Sequence, residues 1–114
     1  MPELVFPRLK PKPPRERAAR TCAGHRAWVR RHDCCVRGCT RTPIECAHVR
    51  SGTDGGTGLK PSDRWAISLC EVHHREQHRI GERSFELKHS LDLCALAQEF
   101  AQRSPYRVKL VQLP

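Results

Sequence analysis

Apolar residues recur at helical spacing most clearly near the end of the chain, over residues 90–103. Leucine, alanine and phenylalanine positions repeat there every three to four residues, which is the spacing of one face of an α-helix. Ser104–Pro105 ends this predicted helix, because the residue before a proline avoids helical backbone. A shorter helix is predicted over roughly Cys22–His32, with Thr21 as its candidate N-cap.

Two short apolar runs predict strands over Ile44–Val49 and Trp65–Leu69. A Gly-rich loop separates them, and a helix is predicted to follow directly over Cys70–Ile80. Gly81 ends that helix, and Val108–Val111 is predicted as a last short strand. The sequence therefore predicts an α+β fold whose centre has the order strand, loop, strand, helix.

Three segments are expected along the chain. Residues 1–20 form a basic, Pro- and Arg-rich extended arm, because proline fixes φ and removes hydrogen-bond donors. Residues 21–86 hold the core with its preceding helix, and residues 87–114 hold a C-terminal helix and tail that pack on it. With 5% aromatic residues and a mean hydropathy of −0.65, this core is thin. Small domains of that kind commonly need a metal or disulfides.

The cysteine count favours a metal over disulfides. Seven cysteines cannot all pair within one chain, and seven histidines accompany them. The first residues lack the cationic start and long apolar run of a signal peptide, and no stretch approaches the roughly 18–20 apolar residues that span a bilayer. We therefore expect a cytoplasmic protein whose thiols bind metal.

Positive charge is concentrated in the first half of the chain. The net charge is +9, and residues 1–50 carry 12 Lys and Arg against 4 Asp and Glu. Such a cluster neutralises phosphates and releases counterions from nucleic acid. We therefore expect nucleic acid as a partner, with phosphate contacts from Arg15, Arg17 and Arg20 in the arm.

Two cysteine-containing segments predict a structural zinc site. Cys34 and Cys39 flank a turn that contains a glycine, and Cys70 and His73 share one face of the predicted helix. Together they form a closed set of three cysteines and one histidine, which suits structural zinc. The ligand set leaves alternatives open, which are Cys35 in place of Cys34, the Cys22/His25 pair, and Cys46. Cys94 lies on the apolar face of the last helix and is expected in the core.

Three further histidines predict a second, catalytic site. His74 and His78 are one helical turn apart, on a face turned about 100° from His73, so they can bind a second metal together. His48 lies near the end of the first strand, just before the Gly-rich loop. Histidine exchanges protons near neutral pH, so His48 could deprotonate a water that attacks a phosphodiester beside the metal.

The arrangement of these residues resembles the HNH (ββα-metal) endonuclease superfamily. The similarity is carried by the cysteine turn, by Glu45-Cys-Ala-His48-Val-Arg50, by the Gly-rich loop, and by Leu69-Cys-x-x-His-His74. The pattern Gly58-x-Lys60-Pro-Ser-Asp63 and the additional His78 are similar to phage and prophage HNH proteins of the recombination-enhancement nuclease type. The resemblance covers about residues 32–86, half of the chain.

This resemblance implies a small zinc-stabilised ββα-metal core that hydrolyses DNA phosphodiester bonds. It implies that His48 is the general base, that His74 and His78 bind the catalytic cation (Mg²⁺, Mn²⁺ or Zn²⁺), and that a recombinase or another phage DNA-processing protein is a partner. Lys60 and Arg50 are expected to contact backbone phosphates.

The sequence departs from the common HNH pattern at two positions. Ala47 stands where many members carry an Asp or His ligand, and Trp65 stands near the position of the middle Asn. Asp63 is the expected substitute, either as a metal ligand or as the group that orients His48. The alternative interpretation is a zinc-stabilised nucleic-acid-binding module without catalysis.

Overall fold

The structure is a computed structural model that describes residues 20–51, 53 and 60–113. Its elements are, in order, α1 (Ala23–Val29), β1 (Ile44–His48), a short 3₁₀ helix (Asp63–Trp65), β2 (Ala66–Cys70), α2 (Glu71–Ile80), α3 (Glu82–His89), α4 (Leu93–Arg103) and α5 (Arg107–Val111). Helices and an antiparallel pair of strands share one small unit, so the predicted α+β class is confirmed.

The two strands form an antiparallel sheet in the centre of the sequence. Ile44 pairs with Cys70 at one end and His48 pairs with Ala66 at the other. Every residue of β2 is buried, whereas only Ala47 of β1 is. Helices α1, α2 and α4 all contact β2. The side chains of β1 other than Ala47 keep partial contact with solvent.

The core lies between the sheet and the helices that follow it. Ile67 and Leu69 of β2 pack with Phe85 of α3 and with Leu93 and Ala97 of α4. All five side chains are buried, and burial of such apolar groups is the main stabilising term available to the fold. The core therefore fixes β2 and the start of α2, which carries several candidate site residues.

The structure corrects several predicted boundaries. Helix α1 begins at Ala23, and its N-cap is Cys22 rather than Thr21; the backbone N–H of Cys22 donates to the carboxylate of Asp63. Helix α4 begins at Leu93 rather than at residue 90, since Ser90 has φ 54° and the side chain of Asp92 caps Ala95 N.

Two elements near the end of the chain were predicted wrongly. Val108–Val111 is part of helix α5 and not a strand, because Leu110 and Leu113 are three residues apart and pack together beside Cys22. Helix α3 was not predicted at all, because Phe85 is its one buried residue and gives no apolar repeat. Helix α3 also spans the predicted segment boundary at residue 86, so core and C-terminal segment share an element.

Part of the predicted organisation lies outside the described residues. This holds for the arm up to residue 19 and for most of the Gly-rich loop. In the part of the chain that the structure describes, no helix has the length and apolar composition needed to cross a bilayer.

Candidate functional site

Four side chains form a compact cluster whose ligand atoms lie close enough together to hold one metal ion. One ligand atom from each of Cys34, Cys39, Cys70 and His73 lies within 4.8 Å of the others. The distances are 3.4 Å from Cys34 Sγ to His73 Nδ1, 3.3 Å from Cys70 Sγ to His73 Nδ1, and 3.9 Å between the Sγ atoms of Cys39 and Cys70. Tetrahedral zinc, with Zn–S near 2.3 Å and Zn–N near 2.0–2.1 Å, separates such atoms by about 3.5–3.8 Å. The predicted ligands are thus brought together and could hold a metal such as zinc.

Local backbone geometry brings the two halves of this cluster together. Gly38 has φ 74°, which lets the chain turn tightly before Cys39. Cys70 ends β2 and caps α2, where its Sγ accepts a hydrogen bond from His73 N at 3.4 Å. Burial raises the pKa of the Cys34 thiol to about 11, so a bound cation would have to displace its proton.

The alternative zinc ligands have other partners. Cys35 Sγ lies 3.5 Å from Ser68 Oγ, and His25 Nδ1 lies 2.8 Å from Ser104 Oγ. Cys46 lies on β1 and lines a separate cleft. Cys94 is only partly buried, and its thiol donates to the carbonyl oxygen of Ser51 at 2.8 Å. The geometric cluster therefore selects Cys34 over the alternatives.

His48 is held in a fixed orientation by Asp63. His48 Nε2 lies 2.8 Å from Asp63 Oδ1, and the other carboxylate oxygen accepts from Cys22 N at 2.6 Å and lies 3.1 Å from Arg26 Nε. Burial acts to raise the pKa of Asp63, but hydrogen bonds from His48 and Cys22 outweigh it and lower that pKa below its usual value. An ionised Asp63 requires the hydrogen on Nε2, so the Nδ1 lone pair of a neutral His48 is available.

His74 and His78 form an imidazole pair on α2. Their Nε2 atoms are 3.3 Å apart, and two nitrogens bound to one tetrahedral zinc are separated by about 3.3 Å. His74 Nδ1 lies 2.8 Å from Glu45 Oε1 on β1. His78 is exposed and His74 is partly buried, so the pair faces solvent.

The second group of predicted site residues meets in one cleft. A cleft of about 460 Å³ is lined by His48, Arg50, Lys60, His74 and His78, and also by Cys46, Gln77, Gly81 and Glu82. A groove beside it shares His48, Lys60 and His74 and continues to Arg26 and Arg30. The arrangement combines a histidine able to accept a proton, an imidazole pair able to bind a cation, and cationic side chains around both.

The predicted arm contacts can be located only in part. Arg15 and Arg17 lie outside the described residues. Arg20 lies near the cleft, because its Nη2 donates to the carbonyl oxygen of Lys60 at 3.2 Å.

Sequence reasoning missed three charged residues of the site. Glu45 pairs with His74, and Arg26 pairs with Asp63. Glu82 accepts from the backbone amides of Arg50 at 2.8 Å and of Ser51 at 2.7 Å, which anchors the start of the Gly-rich loop. Only Glu45 had a sequence signal, because it lies three residues before His48 within the quoted motif.

A second group of possible ligands overlaps the cysteine cluster but is already neutralised. His73, Glu76 and His89 have ligand atoms within 4.8 Å of one another. Lys88 Nζ lies 2.6 Å from Glu76 Oε2, and His89 binds the other oxygen. Hydrogen bonds from His89 and Lys88 lower the pKa of Glu76 to about 2. With a lysine already on the carboxylate, this group is an ion-pair network on α2 and α3.

Comparison with known proteins identifies a family and no described function. Residues 6–104 match the family described as "Protein of unknown function (DUF968)", and the chain belongs to that family. No curated protein and no solved structure matches the chain.

Proposed function

We propose that this member of a family of unknown function is a metal-dependent endonuclease of the HNH (ββα-metal) type that hydrolyses DNA phosphodiester bonds. The observation that carries the proposal is the single cleft shared by His48, fixed by Asp63, and the His74/His78 pair. The antiparallel pair β1–β2 followed directly by α2 supports the ββα assignment.

His48 is the general base in this proposal. Its Nε2 donates to Asp63, so Nδ1 accepts a proton from the attacking water and the resulting imidazolium is stabilised by the carboxylate. His74 and His78 hold a divalent cation, which we expect to be Mg²⁺, Mn²⁺ or Zn²⁺. Bound there, the cation would stabilise negative charge on the phosphate and on the leaving oxygen.

The surroundings of the two departures from the common HNH pattern favour one of the two roles considered for Asp63, which are metal ligation and orientation of His48. Ala47 is fully buried on the core side of β1, so position 47 contributes no ligand. Both oxygens of Asp63 are engaged by His48, Cys22 and Arg26, which favours the orienting role over metal ligation. Trp65 belongs to the 3₁₀ helix that carries Asp63 into place.

Cationic side chains around the cleft support nucleic acid as the substrate. Arg50 and Lys60 line the cleft, and Arg26 and Arg30 line the adjoining groove. Four positive side chains around a hydrolytic site suit a polyanion, because each phosphate contact releases counterions. A recombinase or another phage DNA-processing protein is the proposed partner, on the strength of the sequence resemblance.

A catalytically inactive, zinc-stabilised DNA-binding module is the second candidate. The buried Ala47 favours it, because the position before His48 supplies no charge to the cation. Both candidates keep the cysteine cluster and the basic rim, and they differ only in DNA cleavage.

Plasmid nicking separates the two candidates. Wild-type protein and His48→Ala are compared with Mg²⁺, Mn²⁺ or Zn²⁺ and with EDTA, and bound zinc is quantified in the same samples. We expect His48→Ala to lower the nicking rate by about 100- to 10,000-fold and to keep its zinc, because it removes the general base and leaves the four residues of the cysteine cluster intact. His32→Gln is the matched control, since His32 packs against Trp28 and Phe100 away from the cleft.

Each outcome favours one candidate. Nicking by wild type and His32→Gln, loss in His48→Ala and inhibition by EDTA support the endonuclease. Intact plasmid under every metal, together with steeply salt-dependent DNA binding, would support the inactive module instead.

A further inference from the structure

The carboxylate of Glu45 lies at the outer nitrogen of the His74 ring, where it can control how that ring faces a cation. We propose that Glu45 is a positioning residue that fixes His74 with Nε2 directed towards His78. The inference rests on the proposed cation site and adds a residue to it. Glu45 does not touch the cation in this arrangement, and it acts through His74.

The hydrogen bond between Glu45 and His74 determines which ring nitrogen can bind a cation. Glu45 Oε1 lies 2.8 Å from His74 Nδ1. A carboxylate accepts, so Nδ1 carries the hydrogen and the lone pair lies on Nε2. That Nε2 is the atom that lies 3.3 Å from His78 Nε2. The carboxylate of Glu45 thus binds one nitrogen of the His74 ring, and the other ring nitrogen is directed towards the position of the cation.

The sheet register supplies this contact. Glu45 pairs with Leu69 across the strands, one residue before the Cys70 cap from which α2 starts. His74 lies on the first turns of α2 and packs back against β1. The register therefore places the backbone of Glu45 beside the start of α2, within reach of His74 for its side chain.

The partner that Glu45 binds argues against a role as an ordinary surface ion pair. Arg26, Arg30 and Lys60 line the same groove as Glu45, yet the carboxylate is hydrogen-bonded to the imidazole of His74. The Glu45 side chain is 44% exposed, and pairs with that exposure contribute little to stability. Removing the charge should therefore change cation binding much more than folding.

The test is zinc binding at the second site, measured without DNA. Protein carrying one zinc per chain is titrated with zinc in competition with a chromophoric chelator. We expect Glu45→Gln to weaken the second zinc by about 10- to 100-fold, as carboxylates behind ligating histidines commonly do. Melting temperature and the first zinc stay unchanged.

Two variants calibrate this measurement. His74→Ala defines complete loss of the second zinc. Glu71→Gln removes the same charge from α2, where Glu71 pairs with Arg75 on the exposed face, and we expect wild-type affinity. This control excludes a general electrostatic effect of one lost carboxylate.

The outcomes separate the role of Glu45 from the proposed function. Wild-type affinity in Glu45→Gln would overturn the positioning role, even if plasmid nicking supports the nuclease. Loss as complete as in His74→Ala would also overturn it, because Glu45 would then be a direct ligand. A wild type that binds a single zinc would overturn it as well. Weaker zinc binding in Glu45→Gln without any nicking would support the positioning role and reject the nuclease.

Discussion

One helix carries residues of two sites that differ in almost every physical respect. Cys70 and His73 turn towards the cysteine cluster, whereas His74 and His78 turn towards the cleft. The cluster offers four protein ligands, which is a closed set, and two of its thiols are buried. The cleft offers an imidazole pair and leaves room for water or a phosphate, as open catalytic sites do.

We expect this difference to separate a structural role for the cluster from a chemical role for the cleft. The cluster joins the turn after α1 to the end of β2, so its loss should affect the whole fold. The imidazole pair lies on an exposed face of α2, so its loss should affect only what binds there. The following predictions test this division, starting with the largest effect.

Breaking the cluster should unfold the domain. Cys70→Ser replaces a thiol that belongs to the cysteine cluster and caps α2. Structural zinc contributes about 10–16 kcal/mol of apparent binding free energy in small domains, so we expect loss of zinc and of the cooperative thermal transition. Circular dichroism and zinc quantification check this result.

The controls for Cys70→Ser are substitutions outside the cysteine cluster. Cys94→Ser keeps a donor for the Ser51 carbonyl, and His78→Ala removes a cleft imidazole. Both should keep one zinc and a cooperative transition. A folded, zinc-free Cys70→Ser would show that the cluster is not required for the fold.

Acid should destabilise the domain at a buried point that belongs to neither site. Burial lowers the pKa of His25 from 6.5 to about 4, so the unfolded chain binds a proton more readily between these values. The stability contributed by neutral His25 is therefore present above pH 6.5 and is lost as pH falls towards 4. Between pH 7.5 and 5.5 the free energy of unfolding should fall by about 1 kcal/mol from this cause.

Urea unfolding of wild type and His25→Asn at these two pH values, with excess zinc, isolates that contribution. We expect the wild type to lose about 1 kcal/mol more than the variant on acidification. Equal losses in both proteins would assign the acid sensitivity to the cysteine cluster instead.

Charge on the rim of the cleft should affect DNA binding slightly and the fold not at all. Lys60→Ala removes one cation from the cleft and the adjoining groove. We expect DNA affinity to fall a few-fold and the slope of log K against log salt to become shallower by about one. Lys109→Ala on α5 is the matched control, because Lys109 lines neither the cleft nor the adjoining groove. Equal slopes for all three proteins would place the phosphate contacts elsewhere.

The sequence predicted those site residues whose spacing alone brings them together. Cys70 caps α2, and His73, His74 and His78 lie on it, so helical periodicity assigns each of them a face. Glu82 could not be found in this way, because its contact with the backbone of Arg50 depends on where α3 starts relative to the sheet. The pairing of Asp63 with His48 was predicted from the chemistry of the two side chains and not from their spacing. The choice between metal ligand and orienting group required the observed contact of Asp63 with Cys22 N.

The fold was predictable in its centre and less so at its ends. Strand β2 follows from a buried apolar run and the end of α2 follows from Gly81, both of which are local signals. Helix α5 depends on Leu110 packing beside Cys22, a contact between distant parts of the chain. A short apolar segment does not reveal such a partner, so propensity alone assigned it to a strand.

The adjacency of His73 and His74 has a consequence for how this family can vary. Consecutive helical residues differ by about 100° in direction, so one residue inserted or deleted between Cys70 and His73 would turn His73, His74 and His78 together away from their present positions. Point substitutions can alter either site alone, but a change of length between Cys70 and His73 alters both at once. We therefore expect functional relatives to keep the length of this segment.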